Sequence, residues 1–548
     1  MVDGKAKPLA HLIPLDPGYG KTLAATCFFE TLLNTPELSH EGVLYVAERR
    51  EELNMVFKQM GRPDSVGILT TTDNDYAYPA NATLVGEEGT DAQILLTTKK
   101  MIEKRIVVNS DGSDAILKYR GKARRVRIWD EAFLPARPIT ISRPDLQLLA
   151  GYLKAHDPKL YESIDTLIDD MKNAKDGQLL QVPDITFGRS LNDLLGWLET
   201  STRLQHIAID LWQMSGNLLR ITKDGYKGET FTGHIETLTP NLLPMAVLDA
   251  SGRFSEVYPI QDLYRQNMCL ARLGNYKPKR YDDLLVRLAQ RPSSKSAWQN
   301  KDEAKFLAAE CIKAIESDPE RTWLIIHHKS VDMQGLILEL NPEICDLDVE
   351  YLTLGQHTAT NKHSDRDGVI IAGTLFYPLP SYYALRCAAS GLPIHKLPTD
   401  NVDISRLRRS ESMHHFFQAV ARGTVRQTRH GRCGPMVAYV IASARSGITK
   451  ESIKEVFPGC RVEPWILQKP ATKLAGRAKE AYEAVYRWAK QARIGDSLQF
   501  AKVITGHRGL FKRLVRDNPN FNLALEAIGV REHKSGKRRT KWVKFKTA

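Results

Sequence analysis

Two short segments carry side chains of the kinds that handle phosphate. "LDPGYGKT", Leu15 to Thr22, runs straight into the helix-forming stretch "LAATCFFETLL". Backbone N–H groups at a helix N-terminus attract phosphate oxygens. Gly18 and Gly20, with Tyr19 between them, let the backbone curl closely round an anion. Lys21 would reach the outer phosphates, and Thr22 would ligate Mg²⁺. Leu15 stands where such a loop usually has its first glycine, so the turn falls to Pro17, Gly18 and Gly20. "VRIWDEAF", residues 126–133, reads as a buried strand ending on two acids. There Asp130 would hold Mg²⁺, largely through water. Glu131 would orient or deprotonate an attacking water. Either segment alone has a bland reading, a chance turn or an acidic strand end. Together, in this order, they predict ATP hydrolysis with Mg²⁺.

The elements that must position these residues alternate between strand and helix. "GVLYVAERR" (42–50), "ILLTTKKMI" (94–102) and "VRIWDEAF" are strand-like with helical runs between them, the mark of an α/β layer with a parallel sheet. Residues 141–240 change character. Leu146, Leu149, Leu153, Leu160, Ile164, Leu167 and Met171 largely follow helical spacing, which predicts a helical insertion. "MAVLDASGR" (245–253) then returns to a buried strand. A second α/β series follows, with "TWLIIHHKS", "GVIIAGTLF" and "GPMVAYVIA" as strands. The expected organisation is a first parallel-sheet domain at 1–140 plus 241–260, the insertion at 141–240, and a linker at 261–300. A second parallel-sheet domain takes 301–445, a linker 446–472, and a basic module 473–548. In that module helices precede a two-strand run round Ser535-Gly536, which predicts a winged-helix-like fold.

Asp130-Glu131-Ala132-Phe133 resembles the DEAD/DEAH signature of superfamily 2 helicases, and the likeness continues in order through most of residues 13–442. The resemblance implies two tandem RecA-like domains that clamp ATP between them and move a nucleic-acid strand. "VLYVAERREE" resembles the segment that contacts the nucleic-acid backbone after the first helix, which assigns Arg49 that role. "LLTTKKMI" resembles the following threonine-rich contact, Thr97 and Thr98. "LDASG" resembles, in altered order, the element coupling hydrolysis to strand movement, with Asp249 beside the nucleotide. "GQHTATNKHSDRDGVIIAG" resembles the second-domain turn that touches strand and nucleotide, through Thr358 and Asn361. "QAVARGTVR" resembles the motif whose glutamine and two arginines face ATP across the cleft, here Gln418, Arg422 and Arg426. The two arginines are four apart where the family spacing is more often three. The insertion is similar to the arch of the 5′→3′ branch. Most of that branch holds an Fe–S cluster through four cysteines, whereas this chain has only Cys27 in the corresponding interval. A compact helicase of this layout would suit plasmid, phage or mobile-element replication or defence.

Composition bounds the partners. The 548 residues carry a net charge of +13, which favours a polyanion. Lys537, Arg538, Arg539 and Lys541 crowd the C-terminal hairpin, with Trp542 available for stacking, a pattern expected to grip a duplex or fork. DNA is favoured over RNA on the strength of that module. The seven cysteines are scattered, which argues against a zinc ribbon or disulfide scaffold. No apolar run is long enough to span a bilayer, and no signal peptide opens the chain, so a cytoplasmic location is expected. Two alternatives are a duplex translocase that never separates strands and a degenerate phosphate-loop protein that binds nucleic acid without hydrolysis.

Overall fold

Runs of β-branched and aliphatic residues, apolar on both faces, build two separate parallel sheets. The computed structural model describes residues 1–71, 77–108, 114–198, 201–225, 228–271, 277–356, 362–397, 401–467, 476–499, 519–535 and 539–545. Contacts divide the chain into Met1–Trp465 and Ile466–Ala548.

The first sheet has seven strands in the order Met268–Leu270, Ala10–Leu12, Met245–Leu248, Val126–Asp130, Val43–Ala47, Ile94–Thr98, Val66–Leu69, all parallel. The inner strand Val43–Ala47 shows why it reads as an unbroken apolar run. Val43, Tyr45 and Ala47 pack under the helices Lys21–Leu33 and Arg50–Met60. Leu44 and Val46 face the opposite core with Met101, Ile102 and Trp129. Burial on both faces is the normal state of a parallel sheet. Arg124 is fully buried beneath it and donates to the carbonyls of Val43, Thr90, Ala92 and Gln93 at 2.6–3.0 Å. A residue whose charge suggests the surface thus ties the N-terminal edges of the strands together.

The second sheet runs Val349–Thr353, Trp323–His327, Gly368–Ile371, Met436–Ala442, Leu284–Gln290, Arg461–Pro464, again all parallel. The two sheets with their helices form tandem RecA-like domains, called the first and second lobes below. Both expected linkers shrink. Helix Val257–Arg265 and strand Met268–Leu270 complete the first lobe, and Leu284–Gln290 already belongs to the second. Helix Lys450–Val456 and edge strand Arg461–Pro464 also belong to the second lobe rather than to a linker. That strand is largely solvent-facing on an edge, so its residues lack the apolar signature of the inner strands.

The insertion holds the expected helices, Arg143–Leu153, Pro158–Asn173, Leu191–Gly196 and Thr202–Gln213. Ser142, Asp157, Ser190 and Ser201 cap them through side-chain oxygens. It also holds an antiparallel sheet that the helical reading did not include, ordered Ala136–Ser142, Gly228–Glu236, Leu218–Asp224, Leu179–Gln181. The leucines at helical spacing bury against that sheet, with Ile139, Ile141, Ile221 and Phe231 on its inner face. The insertion reaches the second lobe. Leu179 packs on Cys387, Ile394 and Leu397, and the Arg220 guanidinium lies 4.8 Å from the Tyr383 ring centroid.

Among the described residues the C-terminal unit holds helix Gly476–Gln491, strand Ser497–Gln499, helix Pro519–Ala527 and the hairpin Val530–Ser535/Arg539–Lys544. Its first strand pairs antiparallel with its last. Among the described residues no helix is long and apolar enough to cross a membrane.

Candidate active site

The loop between strand Ala10–Leu12 and helix Lys21–Leu33 makes its turn with Gly18 at φ +82° and Gly20 at φ +75°. Both values favour glycine. At Gly18 the missing side chain is also a packing requirement, because a Cβ there would lie 1.6 Å from the Arg426 carbonyl oxygen. The loop backbone therefore rests directly on the second lobe. Lys21 Nζ donates to the Leu15 carbonyl at 2.8 Å, and burial lowers its pKa. Leu15, the apparent defect of the loop, supplies through its backbone the resting place of the lysine.

Strand Val126–Asp130 delivers its acids to the mouth of this loop. Thr22 donates its hydroxyl to Asp130 Oδ2 at 3.2 Å, and Tyr45 donates to the same oxygen at 2.5 Å. Burial, reinforced by the Asp130 charge, pushes the Tyr45 hydroxyl well above its usual range. Glu131 sits at φ +88°, held by its N–H to the Leu248 carbonyl at 3.2 Å. Burial and the neighbouring Asp130 charge raise its pKa, against the opposing pull of Arg422. Glu52, in the first turn of helix Arg50–Met60, lines the same cavity. Burial first, then Glu131 and Asp130, push its carboxyl up to about 8. Asp249 ends the neighbouring strand, and its carboxylate is engaged by Ser251 and by the Tyr258 hydroxyl at 2.6 Å. Asp249 thus braces the cavity wall.

From the second lobe, helix Asn401–Val420 and the turn after it bring Gln418, Arg422 and Arg426 into the cavity. Arg422 is buried and anchored, with Nε on the Gln418 carbonyl at 3.0 Å and Nη2 on Gln418 Oε1 at 2.7 Å. Burial lowers its pKa to about 10. The Arg426 side chain faces Glu131, Asp130 and Glu52, whose charges oppose the lowering that burial imposes on it. Among the described residues no hydrogen bond restrains its guanidinium. The cavity enclosed by these groups is about 60 Å³.

A second polar knot lies immediately behind the loop. Asp16 is fully buried. Its Oδ1 accepts from Arg253 Nη2 at 2.6 Å and Tyr281 OH at 3.0 Å, and its Oδ2 accepts from the Lys279 N–H at 3.0 Å. Lys279, also fully buried, donates through Nζ to the Pro17 and Arg426 carbonyls, each at 3.0 Å. Burial holds its ammonium down at about 8. Tyr19 donates its hydroxyl to the Lys277 carbonyl at 3.1 Å.

The residues expected to touch nucleic acid are placed less uniformly. Arg49 Nη2 donates to the Gly355 carbonyl at 3.1 Å, linking the lobes. The hydroxyl of buried Thr97 is given to the Leu69 carbonyl, and that of Thr98 accepts from the Met101 N–H to cap helix Lys99–Val108. Both hydroxyls are used within the fold. Thr358, Asn361, Lys537 and Arg538 lie outside the described residues. Arg539 opens the last strand of the C-terminal hairpin. Lys541 is half-buried on that strand's outward face. Trp542 corrects an expectation. At 2 % exposure it packs with Phe521, Val485 and Val530, because strand alternation turns it inward opposite Lys541.

Tyr45, Glu52, Asp16 and Lys279 were not legible as site residues. A lone hydroxyl inside the apolar run "VLYVA" was a signal for Tyr45. Nothing local marked the other three, whose roles arise from contacts between distant segments.

Among the described residues no set of three His, Cys, Asp or Glu side chains converges as a metal cage. Thr22 and Asp130 still fit Mg²⁺, which keeps water and phosphate oxygens in most of its shell.

No protein-family model matches the chain, and no curated protein matches it in sequence. Among solved structures it is similar to an XPD helicase at 14% identity, with 85% of this chain and 97% of that one covered and a TM-score of 0.46. It is similar to Dbp5 of S. cerevisiae bound to RNA and ADP BeF3 at 11% identity, with 89% and 90% covered and a TM-score of 0.35. The DUF1998 helicase MrfA bound to DNA and AMPPNP is similar at 10% identity, with 82% and 47% covered and a TM-score of 0.31.

Proposed function

We propose that the chain is an ATP-dependent nucleic-acid helicase or translocase, acting on DNA in preference to RNA. The observation that carries this reading is the meeting of the two lobes at one cavity. Lys21, Thr22, Asp130 and Glu131 come from the first lobe, and Arg422 and Arg426 from the second. Thr22 and Asp130 would hold Mg²⁺. The bound ion would neutralise charge on the phosphates. Gly20 leaves backbone room for those phosphates, Gly18 lets the loop rest on Arg426, and Lys21 exchanges the Leu15 carbonyl for the phosphates. Glu131 orients and deprotonates the attacking water. Arg426 supplies positive charge from across the cleft where charge develops, and Arg422, held by Gln418, shapes the wall behind it. Such catalysis proceeds by positioning and electrostatics, with no covalent intermediate.

Because the site needs both lobes, hydrolysis and lobe movement are linked, which is what a strand motor requires. The net charge of +13 supports a polyanionic track. Among the described residues, the two helices and the hairpin of the C-terminal unit support a winged-helix-like DNA grip, to which the basic residues Lys537, Arg538, Arg539 and Lys541 are assigned.

ATP hydrolysis with and without single-stranded and duplex DNA and RNA, run beside unwinding of 5′- and 3′-tailed duplexes, tests the reading. Stimulated hydrolysis and unwinding are expected, both lost in Glu131→Gln and Lys21→Ala. Triplex displacement without unwinding would turn the reading to a duplex translocase. Absence of hydrolysis would overturn it.

A further inference from the structure

Asp16 and Lys279 are buried charges in a place where apolar side chains would cost less. Removing an ion from water is costly, and only well-placed partners offset it. Here the partners are specific. The Asp16 carboxylate gathers Arg253, the backbone N–H of Lys279 and the Tyr281 hydroxyl. Arg253 Nη2 also reaches the Val456 carbonyl of the second lobe at 3.2 Å. The Lys279 ammonium spans two carbonyls, that of Pro17 inside the phosphate loop and that of Arg426 in the second lobe. The same Arg426 carbonyl is the atom on which Gly18 rests. Loop, interlobe segment and arginine turn are therefore joined by short polar contacts a few residues from Lys21.

We infer that Asp16 and Lys279 are positioning residues for hydrolysis, fixing the phosphate loop against the Arg426 turn so that Arg426 faces the phosphates in register. This rests on the ATPase reading above. Neither side chain lines the cavity, so neither touches the reacting atoms. Their effect passes through Arg426. Catalytic geometry is sensitive at this scale, since a misplacement of about 1 Å can cost about 10²-fold in rate.

The test is a double-mutant cycle on ATP hydrolysis, with ADP affinity measured in parallel by fluorescent-nucleotide titration. Asp16→Asn and Lys279→Met are each expected to lower kcat by roughly 10–100-fold. ADP affinity should stay within about threefold, because the phosphate loop and Lys21 remain. In an Arg426→Ala background, adding Lys279→Met should change kcat by no more than about twofold, because the two act through one group. Tyr281→Phe removes only one hydrogen bond to Asp16, so it preserves the fold if the charge variants do not. It should lower kcat less and lose its effect in the same background. Full additivity with Arg426→Ala, or a loss confined to nucleotide affinity, would overturn the inference while leaving the ATPase reading intact. A wild-type chain without hydrolysis would overturn both.

Discussion

Tyr45 donates its hydroxyl to Asp130 Oδ2 at 2.5 Å, and Thr22 donates to the same oxygen at 3.2 Å. The tyrosine is fully buried on an inner strand of the first sheet, so the core itself sets the direction of the carboxylate assigned to Mg²⁺. Partners that orient a metal ligand commonly govern about 10–100-fold in metal affinity. Tyr45→Phe keeps the ring and removes the donor. It is expected to raise the Mg²⁺ concentration for half-maximal ATP hydrolysis by that factor, with a smaller change in maximal rate. Magnesium titration of the two proteins measures it.

The two arginines separate by their surroundings. Arg422 is fastened to Gln418 at two points, whereas Arg426 faces Glu131, Asp130 and Glu52 without such a clamp. Arg426→Ala should lower kcat by about 10³-fold, the range of an arginine supplied across a cleft, with the melting temperature little changed. Arg422→Ala should lower the melting temperature as well, since it leaves Gln418 buried without its partner. Steady-state kinetics beside thermal unfolding distinguishes the two patterns.

Glu52 gives the site a pH signature. Its folded pKa is about 8 against an ordinary 4.5, so the native protein takes up a proton that the unfolded chain releases. The stability tied to that proton is fully present below pH 4.5 and is lost as pH rises through 8. Glu52→Gln is neutral throughout and still accepts from the Arg49 N–H. The nucleotide-free variant should match the wild type near pH 5 and melt roughly 2–4 °C or more higher at pH 9. Melting curves across that range check the sign. Equal differences at both ends would remove Glu52 as their cause.

The C-terminal hairpin divides its residues by strand parity. Trp542→Ala removes the core of this unit and should cost about 3–5 kcal/mol of its stability. Lys541→Ala, on the outer face, should leave stability alone and reduce the salt dependence of DNA binding by about one counterion. Binding measured over a salt series, beside urea unfolding, resolves the two.

What the sequence disclosed follows from the range of the interactions involved. The parallel sheets, the phosphate loop and Asp130-Glu131 are written in contiguous residues, where apolar runs and glycine spacing act locally. Helical periodicity found the insertion's helices but not its sheet, whose strands are short and separated by whole helices. Trp542 looked like a stacking residue because composition does not tell which side of a strand it occupies. Arg124, Asp16 and Lys279 carry their meaning only after distant segments meet, and as isolated letters they resemble ordinary surface charges.

Pockets that enclose a drug-sized ligand commonly measure about 300–1,000 Å³. The cavity lined by Lys21, Thr22, Asp130, Glu131, Arg422 and Arg426 is about 60 Å³. In the ATPase reading, a cavity of that size takes a terminal phosphate, and parting of the lobes would widen the way for the rest of the nucleotide. Release of spent nucleotide would then wait on that separation. If opening limits turnover, ATP hydrolysis should slow as solvent viscosity rises, and the first cycle should release phosphate in a burst ahead of the steady pace.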